Sequence, residues 1–242
     1  MPERLNQTWV YLSESPLFWL TMTLVAYQLA VQIYRRSGQQ PFANPVLISI
    51  LLLVSLLKAT GTPYTQYFEG AQFVHFLLGP ATVALAIPLY GQFRRLVSMA
   101  GPLVIALIAG SFTAMLSAVL VGDWLGGSLP TLLSLAPKSV TTPIAMGIAE
   151  QIGGHPSLAA VMVIVTGILG AMVALTLYRW LNIHDDAVAG FALGVAAHGI
   201  GTARAFQINE TMGAFAALGM GLNGLLTAIA LPAIVGWIKP WL

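Results

Sequence analysis

Two short stretches of this chain gather polar chemistry inside otherwise apolar sequence. The first is APKSVTTPIAMGIAEQIGG, residues 136–154. Pro137 and Pro143 lack amide hydrogens and crowd the preceding turn, while Ser139, Thr141 and Thr142 offer hydroxyls to the backbone groups that the prolines free. Lys138 adds a positive charge among them. The second stretch is AAHGIGTARAF, residues 196–206, where Gly199 and Gly201 permit close backbone approach, Thr202 supplies a hydroxyl, and His198 and Arg204 bring donors able to hold a carboxylate. A broken helix at membrane depth exposes amides and partial dipoles that favour an anion, and cations outnumber acids in these stretches. The chemistry expected is therefore the binding of a small organic anion, a carboxylate rather than a metal ion or an amine, by Lys138, Ser139, Thr141, Thr142, His198, Thr202 and Arg204. Glu150 and His198 are the groups able to carry a proton; Glu150 is also placed to offset Arg204. Each has a plainer reading too: a kinked span with Lys138 snorkelling to headgroups, Arg204 as an edge anchor, His198 as a neutral packing residue, and Glu150 at the membrane interface.

Other chemistry is excluded or discounted. The chain has no Cys, hence no disulfide, thiolate metal site, iron–sulfur cluster or cysteine nucleophile. His184, Asp185 and Asp186 look like metal-ligand types but follow Tyr178-Arg179-Trp180 in an evident loop, so no metal or other cofactor is expected. Gly219-Met220-Gly221-Leu222-Asn223-Gly224 matches a dinucleotide pattern, yet no soluble strand precedes it and no acid follows Glu210. It reads as tight helix packing, with Asn223 as an interhelical hydrogen-bond candidate, and Gly190 and Gly194 form a small-residue face of the same kind. There is no H-E-x-x-H and no G-x-S-x-G, and an enzyme is not expected. Ten Lys and Arg against eight acids, scattered singly, make no nucleic-acid footprint.

The elements that must position these residues are membrane helices. Of the 242 residues, 57% are hydrophobic and 7% charged, and no Asp, Glu, Lys or Arg occurs between Arg95 and Asp123, between Asp186 and Arg204, or between Glu210 and Lys239. A helix crosses the hydrocarbon layer in about 20 apolar residues, so the chain reads as one all-α polytopic membrane domain, residues 1–242. The spans expected are 17–34, retained and not cleaved as a signal peptide, then 44–57, 71–90 and 98–121, an interrupted segment 129–151, a clean span 157–178, a second interrupted segment 187–206, and a last long one 211–238. Tyr34, Tyr90, Trp124, Tyr178, Trp180 and Trp237 fall near their ends, as interfacial aromatics do. Eight straight crossings divide the cations evenly between the two sides. If 129–151 enters and leaves on one side, six cations (Arg35, Arg36, Arg94, Arg95, Arg179, Lys239) face the cytoplasm against two outside (Arg4, Lys58). About seven to eight transmembrane helices, two of them broken or re-entrant, are therefore expected. Residues 78–83 (LGPATV) can be laid over 135–140 (LAPKSV), which suggests an internal repeat of the kind found in secondary transporters.

The segments APKSVTTPIAM (136–146), IGGHPSLAAVMVIVTGILGAMV (152–173) and GFALGVAAHGIGTARAF (190–206) resemble the most characteristic parts of the LrgB/CidB family, and the likeness extends over nearly the whole chain. That resemblance implies a multi-pass protein of the bacterial inner membrane. It implies a carrier for small monocarboxylates of the glycolate, glycerate or pyruvate kind, as in the related chloroplast transporters, or an antiholin-like regulator of murein hydrolase export and autolysis. It also implies a small holin-like membrane partner of the LrgA/CidA type. A homo-oligomer is open on this reading, and no residue-level assignment comes with the family.

Overall fold

In the computed structural model the described residues are 15–38, 40 and 43–238. Arg4 and Lys239, which entered the charge count above, lie outside them. The fold is all-α, and the chain divides into two compact units, Met1–Ala84 and Leu85–Leu242.

The first unit holds α1 (Pro16–Arg36), α2 (Pro45–Thr60), α3 (Tyr64–Phe76) and α4 (Leu78–Ala84). Asn44 starts α2: its side-chain oxygen accepts from the amides of Val46 (2.9 Å) and Leu47 (3.3 Å), with Pro45 in the first turn, where no amide hydrogen is needed. Gly61, at φ 67°, closes the same helix. Trp19 of α1 is fully buried and meets Tyr67 of α3 edge-on at 5.8 Å, beside a hydrogen bond of 3.1 Å between Tyr67 Oη and Thr23 Oγ1.

The second unit contains α5 (Ala86–Gly91), α6 (Phe93–Ser98), α7 (Ala100–Trp124), α8 (Leu129–Leu135), α9 (Thr142–Ile152), α10 (Pro156–Trp180), α11 (Asp186–Ile208) and α12 (Glu210–Ile238). Five stretches are long and apolar enough to cross a membrane: Pro16–Arg36, Tyr64–Gly91, Ala100–Trp124, Pro156–Trp180 and Glu210–Trp237; α2 is shorter but equally apolar. The chain is thus a polytopic membrane protein. The expected span 71–90 is divided in the structure among α3, α4 and α5, with interruptions at Leu77 and Leu85. Residues 78–84 are helical whereas 136–141 form an open turn, so the two echoing sequences do not share a backbone conformation.

Both interrupted segments return to the end of the unit from which they start. At one end, Gly122 of α7 packs on Leu132 and Leu135 of α8, and the amide of His155 donates to Ser134 Oγ at 2.7 Å. Helix α8 spans only about 10 Å, so the two flanks of the segment 129–152 lie together. At the other end, Arg95 pairs with Asp185 (2.6 Å) ahead of α11, and Gln92 Nε2 donates to Thr211 Oγ1 (3.4 Å) just after it. Between these feet α11 doubles back at Ala197 (φ −124°, ψ 16°) and His198 (φ 41°, ψ −136°). A Cβ on Gly201 would stand 2.9 Å from the carbonyl oxygen of Leu193, eight residues earlier, a contact that a straight helix cannot make. The sequence reading counted 187–206 as a crossing. The structure makes it a hairpin, because the helical path reverses at two residues and Gly201 lets the return arm lie against the outgoing one.

The outgoing arm of α11 then runs alongside α12 in the same direction. Gly190 packs on the carbonyl oxygen of Met212 and Gly194 on that of Ala216. Gly219 does the same against Phe191, whose oxygen would be 2.6 Å from an added Cβ, whereas Gly221 meets nothing within 4 Å. Close packing in the Gly219–Gly224 stretch therefore falls to Gly219 and Gly224 and not to Gly221. Helix α12 continues through Pro232 without a break, and its 29 residues extend to about 44 Å, well beyond the hydrocarbon thickness. Tyr90, Trp124, Trp180 and Trp237 are exposed near segment ends as expected, but Tyr34 and Tyr178 are buried in the packing.

Asp185 is the N-cap of α11, and its carboxylate accepts from the amides of Ala187 (2.8 Å) and Val188 (3.1 Å). The Val188 amide above all, with Ala187 and the Arg95 guanidinium, holds its pKa below the ordinary 3.8, against a smaller opposing effect of burial. Because the folded carboxyl binds its proton less readily than the unfolded one, the stabilisation is complete above 3.8 and is lost as pH falls through the lower folded value. Thermal unfolding in detergent is expected to show an acid-side decline that Asp185→Asn removes, together with a lower melting temperature for the variant at neutral pH. An unchanged acid limb would disprove the role.

Candidate functional site

The tips of the two hairpins enter the second unit from opposite ends and meet near its middle. The first tip is the turn 136–141. It forms because Pro137 and Pro143 deny the helix its amides, and α9 begins immediately after it with Thr141 as N-cap, making no side-chain cap bond. The second tip is Ala197–His198. Positive φ at a residue with a side chain costs on the order of 1–3 kcal/mol, so the surroundings must hold His198 there. They do so from α10: His198 Nε2 donates to the carbonyl of Val163 at 2.9 Å, and the ring lies against Gly167, where an added Cβ would be 2.7 Å from Cε1. A carbonyl only accepts, so Nε2 carries a proton and Nδ1 is the ring position left to exchange one. Ala197 rests on Gly170 in the same way.

Asn223 of α12 joins the tips. Its amide nitrogen donates to the carbonyls of Ser139 (3.1 Å) and Val195 (3.0 Å), and its oxygen accepts from Ser111 Oγ (2.5 Å) and Thr227 Oγ1 (3.4 Å). The side chain is 1% exposed and all four of its hydrogen-bonding positions are used. Lys138 is half-buried on the first tip, with Nζ 3.4 Å from Ser139 Oγ. Ser139, His198 and Thr202 are buried; Thr202 donates its hydroxyl proton back to the carbonyl of His198 at 2.9 Å and so braces the second tip.

Thr141 ends the first tip and Thr142 follows it, whereas Arg204 and Glu150 stand apart. Thr141 and Thr142 are partly buried at the start of α9. Arg204 lies on the return arm, six residues or about 9 Å of rise beyond His198, where Nη1 donates to Gln207 Oε1 at 3.1 Å. Glu150 is exposed near the far end of α9, so the structure sets it and Arg204 towards opposite ends rather than side by side. Among the described residues no group of three or more His, Asp and Glu could hold a metal ion, and Asp185 serves as a helix cap. A cavity of about 300 Å³ between α7 and the outgoing arm of α11 is lined by apolar residues such as Met99, Leu103, Phe191 and Val195, and lacks the polar groups of the tips.

The sequence marks Asn223 as an interhelical hydrogen-bond candidate, which it is, but does not single out Ser111 and Thr227 or the backbone partners. A signal was present: Asn223 and Thr227, one turn apart, are polar residues within a long uncharged segment, where an amide needs buried partners.

Residues 23–237 match the model of the LrgB-like family. The chain belongs to that family. An uncharacterized protein of Bacillus subtilis, YwbG, is 36% identical over 90% of this chain and 97% of its own length. An uncharacterized protein of Haemophilus influenzae is 31% identical over 88% and 92% respectively. The antiholin-like protein LrgB of Bacillus cereus is 26% identical over 93% and 97%. No solved structure matches the chain. The long apolar helices and the LrgB-like match make it a polytopic inner-membrane protein, and none of these three relatives carries an enzyme's name.

Proposed function

We propose that this LrgB-family protein is a secondary carrier of small monocarboxylates of the glycolate, glycerate or pyruvate kind, coupled to a proton. The observation that carries the reading is the meeting of two hairpin tips near the middle of the bundle. There Lys138 precedes the N-terminus of α9 and His198 the start of the return arm of α11, on tips that Asn223 bonds together through the carbonyls of Ser139 and Val195. Opposed half-helices with positive dipole ends at mid-membrane suit an anion. The ligand-holding set is Lys138, Ser139, Thr141, Thr142, His198 and Thr202 around the tips, with Arg204 as an outer member farther down the return arm. The proton passes through His198 Nδ1, with Glu150 as the second candidate. The test is saturable uptake and counterflow of labelled carboxylates in liposomes containing this chain, alone and then with a holin-like LrgA/CidA-type partner. Failure to exchange any small carboxylate under either condition would sink it.

A second reading is an antiholin-like regulator or pore component controlling murein hydrolase export, and the name of the Bacillus cereus relative favours it over the first. A pore passes solutes without saturation or counterflow, so the same liposomes separate the two.

Membrane topology follows on this reading as six crossings (α1, α2, residues 64–91, α7, α10 and α12) and two re-entrant hairpins entering from opposite faces. Arg94, Arg95 and Arg179 mark the feet of the second hairpin as cytoplasmic under the positive-inside bias. Single cysteines replacing Trp124 and His155 are expected to label from the external face, and those replacing Asn182 and Glu210 from the cytoplasm. Opposite-side labelling within either pair would restore a straight crossing.

A further inference from the structure

Asn223 touches neither Lys138 nor His198, yet it lies between the segments that carry them. Its two amide protons reach the carbonyl of Ser139, next to Lys138 in the chain, and the carbonyl of Val195, three residues before His198. Its oxygen is held from the opposite side by Ser111 on α7 and by Thr227 one turn along α12. The amide therefore cannot rotate to release one tip without breaking bonds to the other and to two helices. An unpaired carbonyl at this depth has no water to turn to, so the four bonds stand or fall together. A hydroxyl in this place would have one proton for two carbonyls, and a carboxylate would have none.

We propose that Asn223 is the positioning residue that sets the separation of the two hairpin tips, and with it the spacing of Lys138 from His198 to which the bound carboxylate must conform. The second half of that statement rests on the carboxylate reading above; the first half does not. Helix packing alone would explain an interhelical hydrogen bond to one neighbour. It does not explain a single amide spending both protons on the backbones of two re-entrant tips that come from opposite ends. Gly224, the next residue, packs on Ile144 of α9, where an added Cβ would be 3.0 Å from Cδ1, which keeps this part of α12 close to the first hairpin.

The test has two arms. Dipolar EPR between spin labels at Met146→Cys and Ala196→Cys, both exposed positions flanking the tips, reads their separation in a chain that has no other cysteine. One narrow distance is expected with Asn223, and a broadened or lengthened one with Asn223→Asp or Asn223→Ala. In liposomes, Asn223→Asp is expected to raise KM for labelled glycolate and pyruvate about tenfold or more, with a smaller change in maximal rate. Asn223→Gln keeps both protons on a longer stem and is expected to shift preference from glycolate towards the larger glycerate, a change that loss of fold stability would not produce. Folded Asn223→Asp and Asn223→Ala proteins with the wild-type tip distance overturn the proposal, as does a raised KM without any change in distance. If the wild-type protein exchanges no carboxylate while the tip distance still depends on Asn223, the spacing role stands and the carboxylate reading falls.

Discussion

Replacing Lys138 by alanine is expected to reduce carboxylate affinity and exchange by about ten- to a hundredfold, the effect of losing a charge-assisted hydrogen bond of roughly 1.5–3 kcal/mol. The ammonium group is half-buried at the first tip, and its hydrogen bond to Ser139 Oγ is long at 3.4 Å. A cation left at such a depth gains most from an anion that it can share with helix N-termini. Arg204 stands farther down the return arm and already donates to Gln207. Arg204→Ala should therefore weaken exchange less than Lys138→Ala, and Arg204→Lys less again, because the charge remains while the planar fork is lost. Binding and counterflow of labelled glycolate and pyruvate by purified, monodisperse variants decide the matter. If Lys138→Ala and Arg204→Ala both keep wild-type affinity and exchange, the cations are structural anchors and the anion site is wrong.

Gly194→Val is expected to destabilise the second unit by about 3 kcal/mol or more, beyond the usual range for adding volume to a packed site. The reason lies in what the added carbon meets. It is not a side chain able to turn aside but the carbonyl oxygen of Ala216, fixed in the backbone of α12. The outgoing arm and α12 would have to separate, and the contacts of Gly190 with Met212 and of Gly219 with Phe191 would open with them. Gly221→Leu is the matched control, since nothing lies within 4 Å of its added Cβ. Melting temperature and recovery of monodisperse protein in detergent should fall sharply for the first variant and little for the second. Equal losses would show that this contact is not what holds the two helices.

Much of this architecture is legible in the sequence. Long charge-free stretches mark the membrane segments without telling a crossing from a hairpin, and the Pro137–Pro143 pair marks a break that must be shielded from lipid. Gly190 and Gly194 announce a close helix contact, although not that the partner is backbone. The return of α11 is harder to read because it depends on two residues, and the one with positive φ is His198 rather than neighbouring Gly199. No local propensity puts a histidine there. The reversal is imposed by Val163, Gly167 and Gly170 of a helix that precedes it in the chain. Asn223 is legible as a hydrogen-bonding residue but its partners are not: its two carbonyls lie 84 and 28 residues away, and carbonyls leave no mark in a sequence. Tyr178 looked like an interfacial ring because Arg179 and Trp180 follow it, but small residues on α10 and α11 draw it into the core.

The seating of the Met212 and Ala216 carbonyls on Gly190 and Gly194 also limits how this part of the molecule can move. Two oxygens one turn apart, lodged on two glycines one turn apart, form a toothed contact rather than a smooth one. A slide of 1 or 2 Å would drive the oxygens against the bulkier positions beside the glycines, and the next matching register is a full turn away, about 5.4 Å. Small shear between the outgoing arm and α12 is thus blocked by geometry, so the pair must travel as a single rigid strut, and any change in shape that the protein undergoes has to hinge outside it.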